Sequence, residues 1–269
     1  MQRLFVWSED QIERLFDSIV RQYPLPSMMI WKTKMKLRNR YFIHAYQPEK
    51  VDLKSLYRPL TDRPKRLVLD GQQRLQSLYI GLKGSIDGRS LHFDLLSGDE
   101  KAPDEIKYRF SFIAPDQASW PWANFGEIIY SKKLAGHIVR DILAKEGIEI
   151  SEKEKERISD NIERAQREFE KSDAILYQDI DGISGDEPFL FDDIIEIFIR
   201  ANSGGTRLSK SDLMFTLLIG DWNIADIEMQ DLLSSINGDR FDFTRDFVLK
   251  TALAVLDQGA RYNVDKITR

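Results

Sequence analysis

The chain has 269 residues and a mass of 31.4 kDa, enough for one large domain or two small ones, and its 42% hydrophobic content supports a sizeable core. It has no cysteine, which excludes disulfides, thiolate nucleophiles, iron–sulfur clusters and cysteine-based zinc sites, and fits a reducing, cytoplasmic setting. The net charge of −5 argues against a wholly basic nucleic-acid binder, and His44, His92 and His137 stand singly, without HExxH or H-x₃₋₅-H spacing.

The first helix is marked by Ser8 and Gln11, a capping box, followed by an apolar stripe of Ile12, Leu15, Phe16, Ile19 and Val20. Pro24 and Pro26 stop it, and Met28 to Trp31 reads as a buried strand. The charge then turns basic. Residues 32–66 hold eleven Lys and Arg against three acids, a local net of +8 that leaves −13 for the remainder. If the chain stays extended from Met28 to Tyr41, period two sets Lys32, Lys34, Lys36, Arg38 and Arg40 on one face. Such a stripe suits a run of DNA phosphates, while the blander reading is an edge strand guarded against aggregation.

Arg66 to Asp70 predicts a second strand, Gly71 a turn, and Gln72 onward a helix through Leu75, Leu78, Tyr79 and Leu82. Leu91 to Leu96 and Lys107 to Ile113 alternate like paired strands. Trp120-Pro121-Trp122 reads as a loop or aromatic corner belonging to the core rather than as a ligand platform. From Leu134 the pattern is helical. Ser151 with Glu154 forms another capping box, opening a charged helix to about Lys171 whose acids and bases read as a solvated face. Ala174 to Ile180 is a third strand candidate, and helices follow at 191–201, after Ser209, at 226–236 and at 244–256. No run of 18 apolar residues predicts a membrane span, and the N-terminus lacks the layout of a signal peptide. Strands cluster before residue 113 and helices after 134, which favours an α/β or α+β core followed by a helical part.

Asp70-Gly71-Gln72-Gln73-Arg74 is the most informative segment, because it sits where a strand ends and a helix begins. A helix start has N–H groups without intrahelical partners and a partial positive charge, suited to an anion. Gly71 lets backbone approach a ligand, Arg74 offers a planar fork for phosphate, and Asp70 can hold Mg²⁺ through one oxygen and water. The bland alternative is a strand–helix turn in which Arg74 pairs structurally with Asp70. A second segment, Phe198 to Ser209, joins two helices through Gly204-Gly205 and carries more polar groups (Arg200, Asn202, Ser203, Thr206, Arg207) than a helix break requires. The chain has no Walker-type G-x₄-G-K-[ST], no G-x-G-x-x-G and no G-x-S-x-G. Asp192-Asp193 reads as surface.

Gln2-Arg3-x-x-x-Trp7, Tyr23-Pro24-x-Pro26, Asp70-Gly71-Gln72-Gln73-Arg74-Leu75 and Phe198-x-Arg200-x-Asn202-x-Gly204-Gly205-Thr206-x-Leu208-Ser209 occur in the order of a known family. Over nearly its whole length the chain resembles the N-terminal domain of GmrSD-type restriction proteins, within the ParB/sulfiredoxin-like superfamily. The resemblance implies a ParB/sulfiredoxin-like core with a small mixed sheet over residues 1–130. A largely helical part over 131–269, including the N-S-G-G-T junction, would pack on it. It implies an NTP-binding and NTP-hydrolysing regulatory domain of a modification-dependent anti-phage restriction system, using NTP (GTP, ATP, CTP or UTP) and Mg²⁺. Asp70, Gln72, Gln73 and Arg74 would be its catalytic residues, with Asp70 at the metal. Gln2, Arg3, Gly71 and Asn202 would complete the nucleotide pocket, Arg3 and Arg74 clamping phosphates. Lys32, Lys34, Lys36, Arg38 and Arg40 would meet the DNA backbone. The implied partners are modified DNA and an HNH-type nuclease domain or subunit, with homo-oligomerisation possible in such systems and no membrane association. Relatives carry a short Tyr-ended strand before the Q-R pair, where Met1 stands here, and the sulfiredoxin cysteine has no counterpart. The alternative is a DNA-recognition module that hydrolyses nothing and signals to a nuclease partner.

Overall fold

The computed structural model describes residues 5–36, 39–50, 56, 58–59, 61–99, 105–171, 173–184, 188–189, 191–202, 225–238, 240–257 and 259. It is an α+β fold of small sheets and helices. In chain order the elements are α1 (Glu9–Val20), β1 (Met28–Thr33), β2 (Ala45–Tyr46), β3 (Lys65–Asp70), α2 (Gln72–Lys83), β4 (Ser85–Ile86), β5 (Ser90–Asp94), β6 (Phe110–Ile113) and β7 (Trp122–Asn124). There follow α3 (Phe125–Tyr130), α4 (Ala135–Glu146), α5 (Glu152–Glu170), β8 (Tyr177–Asp181), α6 (Phe191–Asn202), α7 (Ala225–Asn237) and α8 (Arg245–Val255).

The expected capping boxes form. Ser8 N–H donates to Gln11 Oε1 at 3.0 Å while Ser8 Oγ accepts from Gln11 N, and Ser151 with Glu154 repeats the exchange at α5. Among the described residues the strands form three sheets, ordered β3-β1-β8, β2-β4 and β6-β5-β7. In the first, β1 runs antiparallel to β3 and parallel to β8. The strand candidate near residue 180 thus joins the sheet that contains Asp70, from far along the chain.

The core is built on phenylalanines. Phe93 stacks on Phe110 at 4.9 Å between centroids, Phe125 meets Phe110 edge-on at 5.0 Å, and Phe16 stacks on Phe169 at 5.5 Å. One cluster therefore joins α1, β5, β6, α3 and α5. Gly81 lets α1 approach α2, since a Cβ there would lie 2.4 Å from Phe16 Cζ. The charged helix α5 is more than a solvated face. It buries Ile158, Asn161, Ile162, Ala165 and Glu168 at helical spacing, and Asn161 Nδ2 donates to the carbonyls of Leu95 and Ser97 at 2.8 and 2.9 Å. Farther on, α7 and α8 bury Ala225, Met229 and Leu249 together. No helix among the described residues is long and apolar enough to cross a membrane.

Candidate functional site

The junction of β3 and α2 carries the Asp-Gly-Gln-Gln-Arg segment. A bulge shifts the β1–β3 register between Met29 and Ile30, so Met29 opposes Asp70 and Ile30 opposes Val68, with Leu69 the extra residue. Gly71 follows at φ +85° and N-caps α2 without a side-chain cap. The close approach that glycine permits here is to protein, because a Cβ at this position would lie 2.6 Å from Met28 Cγ.

The four side chains of the segment divide. Gln72 and Gln73 line a cleft of about 60 Å³, together with Gln76, Arg40, Val68 and Phe5. Asp70 and Arg74 are not in its lining. Arg74 is largely buried, at 13% side-chain exposure, and binds the Pro26 carbonyl, the Ser27 carbonyl at 3.3 Å and Asp70 Oδ2 at 3.4 Å. This is the structural pairing that the sequence left as the bland alternative, extended to the loop entering β1. Asp70 stays 42% exposed.

In the cleft, Gln72 Nε2 donates to the Val68 carbonyl at 2.7 Å, which seats the first turn of α2 on β3. Gln73 Oε1 accepts from Val6 N–H at 3.0 Å and draws the N-terminal segment to the cleft wall. Phe5 is anchored there through its carbonyl, which accepts from the Tyr46 hydroxyl at 3.0 Å, and through edge-on ring contact with Tyr46 at 4.9 Å. Gln2 and Arg3 lie outside the described residues, just ahead of this anchored stretch. Gln76 holds the opposite wall, Arg40 to Ile43, by bonding both backbone groups of Ile43. Sequence reading missed Gln76 as a site residue. Its signal was its i,i+4 relation to Gln72, which puts both amides on one face of α2.

The basic stripe is corrected. Strand β1 ends at Thr33, where its neighbours β8 and β3 also run out of partners, and Met35 N–H turns back to Thr33 Oγ1 at 3.1 Å. The five cations therefore do not share one strand face. Lys32 pairs with Asp181 at 3.1 Å, Arg40 lines the cleft, Lys34 and Lys36 are exposed, and Arg38 lies outside the described residues. Asp181 also accepts from the N–H groups of Ile183 and Ser184, and these bonds with Lys32 hold its carboxyl far below the usual carboxylate range. Asp193 is exposed, as expected.

For a metal, the donor set at the junction is the single carboxylate of Asp70. No group of three or more His, Asp or Glu suited to a metal occurs among the described residues. One carboxylate fits Mg²⁺ only where substrate phosphates and water supply the other ligands. Asn202 ends α6, its side chain outside the described set, and residues 203–209 lie outside it entirely.

The family model described as the GmrSD restriction endonuclease, N-terminal domain, matches residues 1–219, four-fifths of the chain. The chain belongs to this family. Within this GmrSD N-terminal domain fall the β3–α2 junction, its cleft and every strand among the described residues, while α7 and α8 follow the matched region. The protein is accordingly a restriction-system component. No curated protein matches it.

Proposed function

We propose that this GmrSD N-terminal domain binds and hydrolyses a nucleoside triphosphate, and so regulates a modification-dependent restriction system whose nuclease lies in another domain or subunit. The observation that carries the reading is the β3–α2 junction. There a helix start without a side-chain cap opens beside a cleft whose polar lining includes three glutamines, Arg40 and Tyr41. Phosphoryl transfer asks mainly for positioning and charge neutralisation, which amides, backbone N–H groups and guanidinium provide without Cys or His. A cleft of about 60 Å³ takes a phosphate-sized group, so the remainder of a nucleotide would lie across its open mouth. Mg²⁺ bound with the nucleotide would supply charge neutralisation at the phosphates, and Asp70, partly exposed at the junction beside the cleft, is the carboxylate proposed to hold it.

Arg74 acts in this reading through position: it fixes Asp70 and the loop before β1 rather than reaching into the cleft. Gln2, Arg3 and Asn202 belong to the same proposed pocket. The test is turnover of GTP, ATP, CTP and UTP by the whole chain, with and without modified and unmodified DNA. Asp70→Asn is expected to lower turnover by at least about 100-fold with little change in thermal midpoint. Wild-type turnover in that variant, or none of any nucleotide by the native chain, overturns the assignment.

The exposure of Lys34 and Lys36 favours a second reading, a DNA-recognition module that hydrolyses nothing. DNA binding unaffected by any nucleotide would support it.

A further inference from the structure

Trp120 and Trp122 form part of the wall of a cavity larger than the cleft at α2. Its volume is about 560 Å³, within the range of small-molecule sites, and it lies between the β6-β5-β7 sheet and helix α4. Strand β5 explains the position. Leu91 and Phe93 turn into the phenylalanine core, so Ser90 and His92 face the other side, and the register sets Asn124 opposite His92 and Trp122 opposite Asp94. Ile138 and Ile142 close the cavity from the helix.

His92 is the informative residue. It is 4% exposed, and its Nδ1–H donates to the Ser90 carbonyl at 2.9 Å. That bond fixes the tautomer and leaves Nε2 as an acceptor on a residue lining the cavity. Asn124 beside it donates to Ser90 Oγ at 3.1 Å, which locks the amide. The cavity thus has two indole side chains in its lining and a held hydrogen-bond acceptor. Its rim has mixed charge: Lys133 and Lys145 against Glu127, Asp141 and Glu146, with Lys133 already bonded to Asp141. Such a rim gives no welcome to a triphosphate.

We propose that this cavity is a second ligand site, separate from the cleft at α2, which takes an uncharged planar heteroaromatic ring in the form of a nucleoside. The ring stacks on Trp122 and donates an N–H to His92 Nε2. The inference does not depend on the triphosphate reading, because no residue is shared between the two sites.

Calorimetric titration and saturation-transfer NMR of the whole chain with free adenosine, guanosine, cytidine, uridine and thymidine provide the test. At least one should bind saturably below about 10 mM, and its triphosphate no more tightly at this site. His92→Phe keeps the ring but removes the acceptor, and Trp122→Leu removes the stacking face; each should weaken binding by about tenfold. Ile142→Trp fills the cavity from α4, leaves the sheet face intact and should abolish binding, which keeps the test decisive if the Trp122 variant misfolds. Asp70→Asn should leave nucleoside affinity unchanged. The proposal falls if no nucleoside saturates, if His92→Phe and Ile142→Trp, folded by circular dichroism, bind as the native chain does, or if Asp70→Asn abolishes binding.

Discussion

Gln76 grips Ile43 with both ends of its amide: Oε1 accepts from Ile43 N–H at 2.8 Å and Nε2 donates to the Ile43 carbonyl at 2.7 Å. Both bonds are shielded, since Gln76 is only 7% exposed, and they imitate a strand partner for a segment that has none at that point. Gln76→Leu would leave a backbone donor and acceptor unsatisfied at a cost of about 2–4 kcal/mol. A lower urea midpoint at unchanged m-value would show it. Because the same bonds hold the Arg40 wall of the cleft, nucleotide affinity should fall as well.

Gly71 combines two constraints that can be measured apart. Its φ of +85° penalises any side chain, and a Cβ would collide with Met28 Cγ. Gly71→Ala should therefore cost about 1–3 kcal/mol. Adding Met28→Ala relieves only the collision. The double variant should show less than the sum of the two single losses, as a double-mutant cycle on thermal or denaturant unfolding would reveal.

Glu13 on α1 predicts a pH dependence. Burial first, then the neighbouring Asp10 and Glu9 carboxylates, push its carboxyl up to about 7 from 4.5, against smaller opposing effects of the Phe112 backbone and Arg89. Folded protein then binds more protons at this group than unfolded protein between those two values. This contribution to stability is complete below about pH 4.5, declines as pH rises, and is gone above about 7. Glu13→Gln should flatten that part of the profile and raise the unfolding midpoint at pH 8 relative to the native chain.

Lys34 and Lys36 are the cations of the basic window to test against DNA. If they contact phosphates, Lys34→Glu with Lys36→Glu should lower the slope of log affinity against log salt by about 2. Lys32→Glu would be a poor probe, because it also breaks the pair with Asp181. An unchanged slope in the double variant would remove these two residues from any DNA surface.

Much of the secondary structure was legible because its signals are local. The boxes at Ser8–Gln11 and Ser151–Glu154 span three residues each, so the N-termini of α1 and α5 could be read directly. Strand alternation identified β5 and β6 for the same reason. The Asp-Gly-Gln-Gln-Arg segment could likewise be placed at a strand–helix junction. Its side chains could not be apportioned, since that depends on Pro26 and Ser27 meeting Arg74 and on Val6 meeting Gln73.

The sequence by itself determined the family, most of the longer helices and strands and the chemistries that a chain without cysteine cannot perform; it did not show β2, β4 or β7, and the helix expected after Ser209 lies outside the described residues. Tertiary structure decided three matters. Strand β8 lies parallel to β1 across almost 150 residues, and supplies the Asp181 that takes Lys32 out of the basic stripe. Arg40, read as one cation of that stripe, became part of a cleft wall because β1 stops at Thr33. Trp120 packs against the core, as read, yet it also lines a cavity with Trp122, which the β5–β7 register turns to the same face as His92. Each outcome rests on which distant groups satisfy a strand's hydrogen bonds, and periodicity along the chain does not carry that information.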